Sequence, residues 1–158
     1  MILDQICAHK RQEIELRKQQ RGLRELEEAI AETPEPRDFR QALRAEGISL
    51  IAEFKKRSPS KGRLIENADP LEVSGMYESA GARAISVLTE ERFFDGSLQD
   101  LAAVRQSVSV PCLRKDFIFD EYQIYESRAH GADALLLIVR ILSDQQIRDY
   151  LDLAGMLG

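Results

Sequence analysis

Several things are scarce in this 158-residue chain, and each scarcity removes a class of function. Cysteine occurs twice, at Cys7 and Cys112, without a CxxC spacing and with only His9 and His130 for company. That excludes a disulfide framework and a zinc site, and leaves two buried, reduced thiols as the expectation. No apolar run approaches the ~18 residues that a membrane-spanning helix needs. The segment after Met1 meets charges before any apolar signal core could form, so the expected compartment is the cytoplasm. Basic excess is missing too: the net charge is −5, which argues against a nucleic-acid partner. No GxGxxG follows the first strand pattern, and this weighs against a Rossmann-type nucleotide site. Tryptophan is absent, yet 44% of the residues are hydrophobic and 31% charged, the balance of an ordinary globular domain with a real core.

What is present is strongly punctuated. Ile2 to Gln20 reads as an amphipathic helix with a weak apolar stripe of Ile2, Leu3, Ile6, Cys7, Ile14 and Leu16. A second helix, Leu23 to Glu32, stops at Thr33-Pro34-Glu35-Pro36, and a third runs from Arg37 to Ala45 before Gly47. Residues 1–47 thus form a helical extension, and residues 48–158 a repeat of strand and helix. Strand one alternates Ile48, Leu50, Ala52 and Phe54 with Ile51, Glu53 and Lys55, and runs into a loop of cations around Ser58. Asp69-Pro70 opens the first crossover helix, Ala84 to Leu88 is strand two, and Thr89 to Gly96 is its loop. Ser97 caps the next helix, Cys112 to Lys115 is strand three, and Asp120 caps the helix after it. Ala134 to Val139 is strand four, and Ser143 with Gln146 opens a last helix with a capping box. Gly81-Ala82-Arg83-Ala84 is echoed by Gly131-Ala132-Asp133-Ala134, each a left-handed glycine followed by a tight turn into a strand. Such alternation predicts an α/β fold with right-handed crossovers and a parallel sheet, either doubly wound or barrel.

Ligands of parallel α/β folds lie at the carboxyl ends of the strands. Here those ends carry Glu53 and Lys55, Thr89-Glu90-Glu91, Lys115-Asp116-Phe117 and Val139-Arg140. Glu53 and Lys55 are either an ion pair plugging the sheet or members of a site. Lys115 follows the apolar Pro111, Cys112 and Leu113, with Arg114 facing the opposite way; burial and neighbouring cations would suit it to proton donation. Phe94 and Phe117, on loops, either cap the core or sandwich a flat ring. Asp116, Asp120 and Glu121 form an acidic cluster, but Asp120 is explained as a helix cap, and no metal is assigned.

Taken together, IAEFKKRSPSKG, ISVLTEERFFDGS, PCLRKDFIFDEYQI and GADALLLIVRIL resemble, in this order, the signature blocks of indole-3-glycerol phosphate synthase. The resemblance covers the whole chain. It implies a (β/α)8 barrel whose first four strand-helix units are seen here, and a cofactor-free enzyme of tryptophan biosynthesis. The implied reaction closes and decarboxylates 1-(2-carboxyphenylamino)-1-deoxyribulose 5-phosphate to indole-3-glycerol phosphate. By position, Lys115 resembles the general acid, Lys55 the lysine that holds anionic groups, and Glu53 the glutamate that positions its neighbours. Ser58 matches the loop serine, and Phe94, Phe117 and Leu136 are similar to the apolar walls around the aromatic ring.

A whole barrel takes about 250 residues. The resemblance therefore places the general base, an asparagine, an arginine and the glycine-rich phosphate site in a C-terminal half outside residues 1–158. Open sheet edges would favour self-association or pairing with that half, and residues 1–158 alone are expected to be inactive. The competing expectation is a non-catalytic half-barrel. A phosphoribosylanthranilate isomerase-like barrel fits less well, because of the Lys-Asp-Phe block and the helical extension.

Overall fold

The structure, a computed structural model, describes residues 1–64 and 68–158. Its frame is a four-stranded parallel sheet in the order β1(Ile51–Phe54), β4(Ala84–Leu88), β5(Cys112–Lys115), β6(Ala134–Leu135). The crossover helices are α4(Pro70–Ser79), α6(Leu98–Ser107) and α7(Glu121–Ala129), with α8(Asp144–Met156) following β6. Neighbouring strands are consecutive in the repeat, without the order reversal of a doubly wound sheet. This is the arrangement of successive units of a (β/α) barrel.

The caps stand where the sequence puts them. Asp69 accepts from Leu71 N, Ser97 from Asp100 N, and Asp120 from Tyr122 N. Ser143 and Gln146 exchange the two bonds of a capping box. Both helix-to-strand turns close alike. Gly81 and Gly131 are left-handed, with φ of 91° and 81°, and the next residue's N–H returns to the helix, Ala82 to Tyr77 O and Ala132 to Ser127 O.

Alternation along the strands divides the sheet. Phe54, Ile85, Val87 and Cys112 face the helices and pack with Leu98, Leu101, Val104 and Val108 in one core. Each such side chain contributes about 1.5–3 kcal/mol on full burial. A second cluster joins Ile118 and Ile124 to Tyr150 and Leu153 of α8. The extension is α1(Ile2–Gln20), α2(Leu23–Glu32) and α3(Phe39–Arg44). It packs on α7 through Ile14, Leu26 and Tyr122.

Five expectations need correction. Strand one is shorter, because Ile48 and Leu50 are exposed and only Ile51–Phe54 forms the ladder. Arg83 binds Ala45 O, Glu46 O and Ser49 Oγ there and ties down the approach instead. Strand four pairs over Ala134–Leu135 alone, and Val139–Ile141 winds into a 3-10 turn. Only one side of that strand has a partner, so half of its ladder bonds are lacking among the described residues. The cationic loop contains a hairpin, β2(Arg57–Ser58) with β3(Gly62–Arg63), and the loop after β4 contains the helical turn α5(Glu91–Phe94). Finally, Leu16 and Ile2 are exposed, while the buried face of α1 is Ile6, Cys7, Lys10 and Ile14. A lysine occupies the stripe, which explains why it looked weak.

Candidate active site

The strand ends bring three of the candidates into direct contact. Glu53 on β1, Lys55 just beyond it and Lys115 at the end of β5 share the sheet face turned away from the helices. Lys55 Nζ donates to Glu53 Oε1 and Lys115 Nζ to Glu53 Oε2, each at 2.8 Å. The two ammonium groups thus flank one carboxylate. Burial alone would push the Glu53 carboxyl up, but the hydrogen bonds and charges of Lys115 and Lys55 outweigh it and hold Glu53 below the usual carboxylate range. Glu53 is therefore a fixed anion that orients two cations. Desolvation of Lys115 is only partial, since its side chain is 35% exposed, and Glu53 is the one hydrogen-bond partner of its Nζ among the described residues.

Arg114 does face the other way, and its surroundings are the opposite of those of Lys115. It is fully buried, and its guanidinium meets Asp116 Oδ2 at 3.0 Å, Glu126 Oε2 at 3.0 Å, Thr89 Oγ1, Gln123 O and Ser127 Oγ. Asp116 in turn accepts from Thr89 Oγ1 at 2.7 Å and from Phe117 N at 2.8 Å. Although burial opposes ionisation of Asp116, Arg114 and Lys10 hold its carboxyl down at about 2. The acidic cluster is thus dispersed: Asp116 belongs to this network and Asp120 caps α7.

The aromatic candidates meet. The Phe94 and Phe117 rings lie 6.1 Å apart at 40°, one carried by α5 and the other by the loop after β5. Leu136 follows β6, its N–H bonded to Arg114 O. The helix side is taken by Leu135 and Leu137, so alternation turns Leu136 to the face of Glu53 and Lys115. Ser58 is buried in the hairpin, where its Oγ accepts from Lys61 N. Of the loop cations, Lys56 pairs with Asp100 and Arg63 with Asp95. Arg57 and Lys61 have no carboxylate partner among the described residues. A cleft of about 460 Å³ lies elsewhere, beside α1 and α7, but its Arg17 is already held by Glu13, Glu91 and Glu126.

A family model described as indole-3-glycerol phosphate synthase matches residues 3–158. The chain belongs to this family. It is 51% identical over 157 residues to the indole-3-glycerol phosphate synthase of Mycolicibacterium gilvum, covering 99% of this chain and 58% of that protein. Against the synthase of Bacteroides thetaiotaomicron it is 46% identical, covering 99% and 60%, and against that of Chloroherpeton thalassium 49%, covering 99% and 62%. The chain therefore spans about three fifths of the length of these curated relatives. The parallel strand-helix repeat agrees with the TIM-barrel fold of the family.

Two buried charges have roles that the sequence did not disclose. Lys10 is fully buried against Asp116, and its only signal was a gap in the apolar stripe at the spacing of Ile6 and Ile14. Glu90 caps α5 with its Oε2, a role hidden inside what reads as a loop.

Proposed function

We propose that residues 1–158 carry the acid side of an indole-3-glycerol phosphate synthase site. The observation that carries the reading is the single Glu53 carboxylate gripping both Lys55 and Lys115 beside an aromatic pair. The substrate, 1-(2-carboxyphenylamino)-1-deoxyribulose 5-phosphate, offers a flat ring, a carboxylate, a phosphate and a ketone. Lys115 donates a proton to the ketone oxygen, which makes its carbon the electrophile for attack by the ring carbon that bears the carboxylate. The new carbon–carbon bond forms, the carboxylate leaves as carbon dioxide, and the hydroxyl made from the ketone takes up a proton and leaves as water while the adjacent methylene gives up a proton to a base, which forms the ring double bond. Lys55 neutralises substrate anions, Glu53 aims both lysines, and Ser58 belongs to the loop over the site. Phe94, Phe117 and Leu136 wall the ring. Nothing in this sequence of steps needs a cofactor.

The division at 47/48 separates a covering extension from the catalytic repeat. Cys7 and Cys112, both buried free thiols, suit a reducing cytoplasm.

On this reading the acid lies in residues 1–158, while the base and phosphate grip lie in the second half of the barrel. We expect no turnover from the 158 residues alone. The test is indole-product fluorescence from the chain, with and without strand-helix units five to eight of the Mycolicibacterium gilvum relative. Product only on mixing, and none with Lys115→Ala, supports the reading. Product from the 158 residues alone refutes the inactivity, and undiminished product with Lys115→Ala refutes the role of Lys115. The second reading is self-association, supported by the one-sided β6 edge and an apolar groove of about 310 Å³ lined by Leu135, Leu151, Ala154 and Leu157. A monomer in sedimentation at all concentrations would exclude it.

A further inference from the structure

A lysine with no exposed surface requires an explanation, because burying an ammonium costs several kcal/mol unless it is paired. Lys10 sits on the buried stripe of α1, a position that a leucine or methionine would fill at no electrostatic cost. Its Nζ lies 3.0 Å from Glu13 Oε1 and 3.4 Å from Asp116 Oδ1. The same Oδ1 accepts the backbone N–H of Phe117 at 2.8 Å. On the neighbouring strand end the pattern recurs: Glu90, fully buried, takes the backbone N–H groups of Phe93 and Phe94 on Oε2, at 2.7 and 3.1 Å. Its Oε1 has no hydrogen-bond partner among the described residues. Burial pushes the Glu90 carboxyl up, and the bonded N–H groups and the charge of Lys10 oppose that push. Each loop that carries an aromatic wall therefore hangs by its backbone on a buried carboxylate, and one of the two, Asp116, meets a cation from the N-terminal helix.

We infer that Lys10 is a positioning residue, which sets Phe117 against Phe94 at the aromatic subsite by gripping from beneath the Asp116 carboxylate that holds the Phe117 N–H. The assignment of a subsite rests on the proposed function; the placement of the two rings does not. Removing the ammonium leaves Asp116 to Arg114 alone, which draws the carboxylate by Oδ2, and the loop held through Oδ1 shifts. The extension is then part of the site's geometry, although it contributes no group to the substrate.

The test uses the full chain and two readouts. Ring-to-ring NOEs between Phe94 and Phe117, with the amide shifts of Phe93, Phe94 and Phe117, report placement. Fluorescence titration with N-methylanthranilate reports the subsite, with Phe117→Ala as control. Lys10→Met is expected to abolish the ring contact, move the Phe117 amide more than those of Phe93 and Phe94, and weaken the probe about tenfold, a change of about 1.4 kcal/mol. Lys10→Arg is expected to restore both readouts, which a merely structural filler would not do. Should Lys10→Met fail to fold by circular dichroism, Lys10→Gln, which keeps a donor for Glu13, takes its place. An unchanged ring contact in the uncharged variant overturns the inference. If the contact is lost while the wild-type chain binds no probe, the positioning role stands and the subsite assignment falls.

Discussion

Asp116→Asn isolates the electrostatics on which the strand ends depend. In the native chain the Asp116 carboxyl is held at about 2, against an ordinary value of 3.8, by Arg114 and Lys10 working against burial. At about 1.4 kcal/mol per pK unit, that gap is worth about 2 kcal/mol of stability. The carboxyl is depressed by folding, so its contribution is complete above pH 3.8 and is lost as the pH falls towards 2. Asparagine keeps the shape and one of the two acceptor oxygens but leaves two buried cations undercompensated, and breaking such a pair costs about 3–5 kcal/mol at neutral pH. Urea unfolding of both proteins from pH 7 to pH 2.5 measures the difference directly, and every other carboxylate cancels. The expected gap is several kcal/mol at pH 7, constant down to about pH 4, and then narrower by about 2 kcal/mol. A gap that stays constant to pH 2.5 would mean that Asp116 is not a depressed carboxylate, and the network argument would fail.

Other outcomes follow from the same structure. Burial pushes the Cys112 thiol up to about 12, so it should resist a thiol reagent at pH 8 in the native chain and react at once in denaturant; rapid native labelling would contradict its burial. The Glu53 midpoint followed by NMR should lie below 4.5 and rise in Lys115→Met, because the pairing with Lys115 is present above that pH and lost as the pH falls. Gly81→Ala should cost about 1–2 kcal/mol from its left-handed backbone alone. Gly131→Ala should cost more in thermal unfolding, because its Cβ would also meet Arg105 Cγ at 3.2 Å. Leu101→Ala, at a site with no exposure, should cost about 2–5 kcal/mol, with a smaller loss pointing to a core that collapses around it.

Much of the architecture is local in origin and was legible in the residues. Asp69-Pro70, Ser97, Asp120 and Ser143 open helices because their side chains bond N–H groups only two or three positions away. Gly81 and Gly131 close helices because the left-handed turn needs no distant partner. The period of two that set Lys115 against Arg114 is likewise a property of any strand. The family motifs made Glu53, Lys55 and Lys115 candidates, but their meeting at one carboxylate depends on strands β1 and β5, which do not pair directly.

Tertiary structure decided what depends on an element's neighbours. Ile48 and Leu50 alternate as a buried strand would, yet both side chains stay exposed among the described residues, and Arg83 ties that approach down by its backbone and side chain. The run ALLLIV is apolar enough for a long strand, but a ladder on one side alone pairs only Ala134–Leu135. Lys10 shows the limit most clearly. Charge on a helix reads as solvent-facing, and the approach of Asp116, more than a hundred residues away, joins Glu13 in making a buried ammonium tolerable. A sequence by itself determines which residues can cap, turn and alternate, because those interactions close within a few positions. Which charges meet in the dark is settled by the packing of distant segments.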